Sequence, residues 1–193
     1  MRILITYSTT EGQTRKVSRF CADQLVSQGH SVELLAASDA DDVELALFDA
    51  VILAGSVHVG HVQDVLARVA ETHAPALNGK PGLFLVVSLA AAGNEPADRE
   101  DLDRIAREFT RATGWTPGRI EHIAGAFRFS EYDFFRSMAM RWIAWQRGET
   151  IDTQTDREYT DWPALAAMII DWAETNAPLP ERAARSVRAA GPV

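Results

Sequence analysis

Seven residues, Ser8-Thr9-Thr10-Glu11-Gly12-Gln13-Thr14, place four hydroxyl groups beside one glycine, between the apolar run Ile3-Leu4-Ile5-Thr6-Tyr7 and an amphipathic stretch from Arg15 to Val26. The apolar run predicts a buried strand and the stretch after it a helix, so the seven residues form a strand-to-helix turn. Hydroxyls, first-turn N–H groups and a glycine that lets backbone approach closely are the donors that hold a phosphate dianion. The turn contains no lysine, which excludes a Gly-x-x-x-x-Gly-Lys-Ser/Thr triphosphate loop, and its single glycine excludes a Gly-x-Gly-x-x-Gly dinucleotide turn. What remains is a monophosphate held mainly by neutral donors, as in an FMN site. The alternative is that these hydroxyls only cap the helix.

A turn of this kind works only where a sheet presents it. Ser31-Val32-Glu33-Leu34-Leu35 predicts a second strand, entered through Gly29-His30 as the helix stop, and Ala50-Val51-Ile52-Leu53-Ala54-Gly55 a third, central and buried on both faces. A helix is expected from Val62 to Thr72, a fourth strand from Leu83 to Ser88, a helix from Ala97 to Thr113 and a fifth strand from Arg119 to Ala126. Asp161 and Pro163 mark the start of a last helix. This alternation predicts an α/β fold, a doubly wound five-stranded parallel sheet in the order 2-1-3-4-5. The loops after its first, third and fourth strands converge on one crevice. The first loop would hold the phosphate. Ser56, Val57, His58, Gly60 and His61 in the second, with Ser88, Leu89, Ala90, Ala91 and Gly93 in the third, would bracket a planar ring. Neither loop carries Trp or Tyr, so such a ring would be open on one side to a flat substrate. His58 and His61 are either solvated loop histidines or a ring contact and proton relay near neutral pH.

Residues 127–159, between the fifth strand and the last helix, exceed an ordinary connection. Wound at about 100° per residue, Tyr132 to Arg147 sorts Phe134, Phe135, Met138, Trp142, Ile143 and Trp145 to one side and Asp133, Arg136, Ser137, Arg141 and Arg147 to the other. Such a helix suits a membrane surface or a lid over an apolar ligand; the alternative is packing on the sheet edge or a second subunit. Residues 1–177 are expected to form one domain, and 178–193, rich in Ala, Arg and Pro, a mobile tail.

Composition narrows the partners. Of 193 residues 47% are hydrophobic, enough for one sizeable core, and the net charge of −8 argues against nucleic acid, whose phosphates need a basic surface. The single cysteine, Cys21, precludes an intramolecular disulfide and a thiolate metal cluster, and falls in helical register with Val17 and Leu25 as a core residue. With no leader-like or membrane-spanning run, a cytoplasmic location is expected, peripheral to the inner membrane if the insertion docks there.

The chain resembles the flavodoxin-like, menaquinone-dependent protoporphyrinogen oxidases of bacteria. The likeness lies in Ser8-Thr9-x-x-Gly12-Gln13-Thr14-Arg15, in Gly60-His61, in Ala124-Gly125-Ala126-x-Arg128, in Gly148-Glu149-Thr150 and in Tyr159-Thr160-Asp161-Trp162. The resemblance implies FMN as cofactor, oxidation of protoporphyrinogen IX to protoporphyrin IX in haem synthesis, and a membrane quinone as acceptor, with no metal. Under that reading Arg128, Arg136 and Arg141 would meet the substrate propionates, and Trp142 and Trp145 a bilayer or quinone entrance. Two features depart from the family: an insertion less rich in Lys and Arg, and His58 where a basic residue is usual. Other readings are a flavodoxin-like electron carrier or regulatory flavoprotein that binds a protein partner through the insertion, and an NAD(P)H-dependent quinone reductase, for which no second nucleotide motif is present. A homo-oligomer is compatible with each.

Overall fold

The parallel ladder exists because its strands are apolar on both faces. In the computed structural model, which describes residues 1–93, 96–127 and 157–177, the elements in chain order are β1 (Arg2–Ser8), α1 (Gln13–Ser27), β2 (Ser31–Ala36), β3 (Ala50–His58), β4 (His61–Val62), α2 (Asp64–Leu77), β5 (Gly82–Ser88), α3 (Pro96–Thr113), β6 (Arg119–Ala124), β7 (Ala126–Phe127), β8 (Arg157–Glu158) and α4 (Trp162–Asn176). The strand order is β2-β1-β3-β5-β6, all parallel, with β4 paired to β3 alone. Counted without that two-residue ribbon, the principal strands run 2-1-3-4-5, and the flavodoxin-like doubly wound sheet is present.

Register aligns each face of the sheet. Thr6, Leu53, Phe84 and Ile120 form one row across it, and Ile5, Ile52, Leu83 and Arg119 the adjacent row. Because successive side chains point to opposite faces, Leu53 and Phe84 join the core beneath α2 and α3, whereas Ile5, Ile52 and Leu83 join the core beneath α1 and α4. Cys21 is fully buried in the second core, and burial pushes its thiol pKa up to about 12, so it is packing and not chemistry.

Helix α1 ends as expected: Gly29, at φ 84°, and His30 donate to the carbonyls of Val26 and Leu25 in the paired pattern of a left-handed C-terminal cap. Asp161 caps α4, its side chain accepting from the N–H of Ala164 at 3.0 Å.

Three expected boundaries move. Helix α2 begins at Asp64, not Val62, because Val57 pairs with Val62 and His58 with His61 in an antiparallel ribbon that uses those residues first. It also runs past Thr72 to Leu77: Pro75 falls in its last turn, while Ala74 and Leu77 are buried. The fifth principal strand stops at Ala124, not Ala126. Gly125 donates its N–H to the carbonyl of Ser88 and accepts from the N–H of Tyr159, so the chain leaves the parallel ladder there and starts the antiparallel pair β7–β8. That pair encloses residues 128–156. The expected helix from Tyr132 to Arg147 and the tail 178–193 lie outside the described residues.

Close packing near the site sets one testable demand. Gly55, opposite Ser8, has no side chain because a Cβ there would come within 2.6 Å of Val62 Cγ1 and 2.8 Å of Leu66 Cδ2. Gly55→Ala is expected to cost about 1–3 kcal/mol through overpacking. Urea unfolding should show this as a lower midpoint with an unchanged slope.

Candidate functional site

Helix α1 starts without a side-chain cap. Gly12 occupies the cap position at φ 87°, a left-handed conformation that strains any residue with a Cβ, and among the described residues no side chain caps the helix's first N–H groups. Thr9 Oγ1 instead accepts from the N–H of Gly12 at 2.9 Å. The first turn of α1 therefore offers N–H donors with no partner inside the helix, at the positive end of its dipole.

Around this turn, hydroxyls stand unused. Thr14 is 1% exposed and its Oγ1 has no hydrogen-bond partner; the buried Ser56 Oγ is in the same state. Both residues line a cleft at the carboxyl ends of β1, β3 and β5, together with Thr9, Thr10, Glu11 and Gln13. Thr10 Oγ1 accepts from Gln63 Nε2, which braces the turn from the α2 side and leaves the threonine hydroxyl proton able to donate. A buried hydroxyl without a partner is costly unless a ligand satisfies it. Among the described residues no Lys or Arg side chain lines the cleft, so an anion here is held by neutral donors and the helix terminus.

The remaining walls come from Val57 and His58 at the end of β3, Val87, Ser88 and Leu89 at the end of β5, and Gly125 and Ala126. Val87, Gly125 and Ala126 were not expected at the site. Val87 gave no local signal, since it reads as one more apolar strand residue. The other two belong to the Ala124-Gly125-Ala126 motif of the resemblance, and a Cβ at Gly125 would meet the Ser88 carbonyl at 3.4 Å, an ordinary van der Waals contact. The enclosed volume is ≈ 60 Å³, far below the roughly 300–1,000 Å³ of a pocket that swallows a whole ligand. It suits a phosphoryl group, with a ring system left at the mouth beside His58 and Leu89.

Other expected residues lie elsewhere. Ser8 lines a separate groove that shares Thr9 with the cleft, near Tyr7, Ala37, Arg15 and Arg68. Val59 and Gly60 make the tight turn between β3 and β4 at φ 49° and 82°, with Val59 61% exposed, and His61 is exposed across the ribbon from His58. Ala90 and Ala91 form a single 3-10 turn pinned by the Ala91 N–H donating to Ser88 Oγ at 3.1 Å; they and Gly93 do not line the cleft. Arg128, Arg136, Arg141, Trp142 and Trp145 lie outside the described residues.

The Gln13 carboxamide is committed away from any anion. Its Nε2 donates to Glu158 Oε1 at 2.7 Å and to Thr160 Oγ1 at 2.9 Å. Arg15, the first cation along α1, lines the groove with Ser8 and Thr9, and the next, Lys16, lies 2.8 Å from both Glu158 carboxylate oxygens, with its Nζ 5.0 Å from the Trp162 ring centroid. Partial burial by itself would raise the Glu158 pKa, but hydrogen bonds from Lys16 and Gln13 and the Lys16 charge hold it below the usual carboxylate range.

Known proteins share this architecture. Residues 4–154 match the family described as Flavodoxin domain. A protoporphyrinogen IX dehydrogenase [quinone] from Escherichia coli (strain K12) is 29% identical over 166 residues, covering 86% of this chain and 91% of that protein. A Leishmania major protein of the same name is 26% identical over 182 residues, covering 94% of this chain and 78% of its own length. Oxidised Flavodoxin 2 from Bacillus cereus superposes with a TM-score of 0.53 at 17% identity, covering 91% of this chain and 99% of that one, a likeness of fold. The unpartnered Thr14 and Ser56 hydroxyls and the uncapped first turn of α1 fit a flavin mononucleotide's single phosphate. With the family matched over most of its length and its donors fitting that group, the chain belongs to the flavodoxin domain family and binds FMN.

Proposed function

We propose that this protein is an FMN-dependent oxidoreductase that oxidises protoporphyrinogen IX to protoporphyrin IX and passes the electrons to a quinone, menaquinone in bacteria that make it. One observation carries the reading: the chain leaves for the 128–156 segment and returns from it through β7–β8 at the wall of the cofactor cleft, where Ala126 lies opposite Glu158. The names borne by its relatives from Escherichia coli and Leishmania major support the same substrate and acceptor.

Bound FMN supplies the redox chemistry, taking hydride equivalents from the macrocycle and releasing electrons to the quinone. The protein's part is placement. The first turn of α1 and the hydroxyls of Thr9, Thr10 and Thr14 hold the phosphate, while His58 and Leu89 stand at the mouth, where a macrocycle must meet the ring. An imidazole at that point can relay a proton between macrocycle and ring, the role assigned to His58. Arg128, one residue beyond β7, is assigned to a substrate propionate, because a planar guanidinium takes a carboxylate with two hydrogen bonds. Arg136 and Arg141 share that role, and Trp142 and Trp145 are assigned to a quinone entrance on the cytoplasmic membrane face.

An anaerobic assay with protoporphyrinogen IX and a menaquinone analogue tests the proposal. Sustained formation of protoporphyrin is expected, and Arg128→Ala should raise KM several-fold with little change in kcat, since a rim contact binds ground and transition states alike. Absence of turnover with any quinone by FMN-loaded protein would refute the assignment and favour an electron carrier whose insertion meets a protein partner.

A further inference from the structure

The phosphate turn is buttressed from the far end of the chain. Gln13, the first residue of α1, reaches Glu158 and Thr160 across 145 and 147 positions of sequence. Thr160 in turn donates its hydroxyl to the carbonyl of Ala124 at 2.6 Å, and the N–H of Tyr159 donates to the carbonyl of Gly125 at 3.0 Å. One hydrogen-bonded path thus runs from the helix that starts at the phosphate turn, through the segment returning from residues 128–156, to the strand end from which that segment departs. Gln13 and Thr160 are each 8% exposed, so water cannot readily replace the bond between them.

The aim of the first turn matters unusually here. A lysine or arginine attracts a phosphate over a broad range of directions, but among the described residues no Lys or Arg lines this cleft: Arg15 lines the neighbouring groove, and Lys16 is held by Glu158 and Trp162. Affinity then rests on N–H and O–H donors, which weaken steeply as they tilt off line. We propose that Thr160 and Glu158 are positioning residues for the cofactor phosphate, fixing the orientation of the first turn of α1 through Gln13 and Lys16. The proposal requires FMN binding and is independent of the porphyrinogen reading. It also means that strain on the insertion's return is felt first as a change in phosphate affinity, not in ring binding.

Riboflavin, which has the ring and ribityl chain of FMN without the phosphate, separates positioning from general destabilisation. Flavin-fluorescence titrations of the apoprotein should find Thr160→Val binding FMN about tenfold more weakly, the effect of losing one well-made hydrogen bond, with riboflavin affinity within about twofold of the parent. Thr160→Ser keeps the hydroxyl and should restore FMN affinity. Should Thr160→Val fold poorly, Glu158→Ala in a Lys16→Met background removes the buttress's other arm at an exposed site, without a freed ammonium to compensate, and should show a loss likewise confined to FMN. Equal losses for FMN and riboflavin, unchanged FMN affinity in the folded variants, or no rescue by serine would each overturn the proposal.

Discussion

Thr14→Val should weaken FMN binding by about ten- to a hundredfold while leaving the apoprotein as stable as before or more so. A hydrogen bond from a neutral donor to a charged acceptor contributes roughly 1.5–3 kcal/mol, which sets that range. The opposite sign for the apoprotein follows from the hydroxyl's surroundings. Thr14 is 1% exposed and its Oγ1 has no partner, so without ligand the group is desolvated and unused. Valine has the same shape and a similar helix propensity, and removes that burden. Fluorescence titration of FMN and thermal melting of the flavin-free protein read the two effects separately. If Thr14→Val bound FMN as the parent does, Thr14 would be a packing residue and the phosphate would be held by others.

The largest effect on stability is expected far from the cleft. Trp115 is fully buried near the amino end of β5, edge-on to Phe84 at 5.7 Å between ring centroids, and Phe84 stacks on Phe109 at 4.6 Å. Gly82 gives the indole its place, since a Cβ there would lie 3.2 Å from Trp115 Cζ2. Trp115→Ala should cost about 3–5 kcal/mol by leaving a cavity the sheet cannot close, a large share of the 5–15 kcal/mol typical of a whole domain. Trp115→Phe should cost less, because it leaves a smaller void and removes an indole N–H that has no partner. Urea denaturation measures both. The folded fraction of either variant should still bind FMN normally, since the indole and the cleft lie at opposite ends of β5; loss of FMN binding in native conditions would show that the two ends are coupled.

What the sequence determined alone is what short-range chemistry determines. Runs such as Ala50 to Gly55 and Leu83 to Val87 are apolar at every step, and only strands covered on both faces bury such a run, so the parallel sheet and its flanking helices were legible. The turn from Ser8 to Thr14 was legible as an anion site because its donors and its glycine are neighbours in the chain. Whether its hydroxyls cap the helix was not, since that depends on where each side chain points; the structure leaves α1 uncapped and Thr14 unpartnered. The turn at Val59 was equally hidden, because a β-branched residue at φ 49° is disfavoured locally and is held there by the pairing of His58 with His61. Gln13 is the clearest instance. Its place in the turn suggested a cofactor contact, but its carboxamide belongs to Glu158 and Thr160, and Gly125 and Ala126 reach the cleft only because the ladder ends at Ala124. Contacts across some 145 residues leave no periodicity or spacing in the sequence; they arise when the sheet brings the ends of its strands to one edge, which is where this protein's site is assembled.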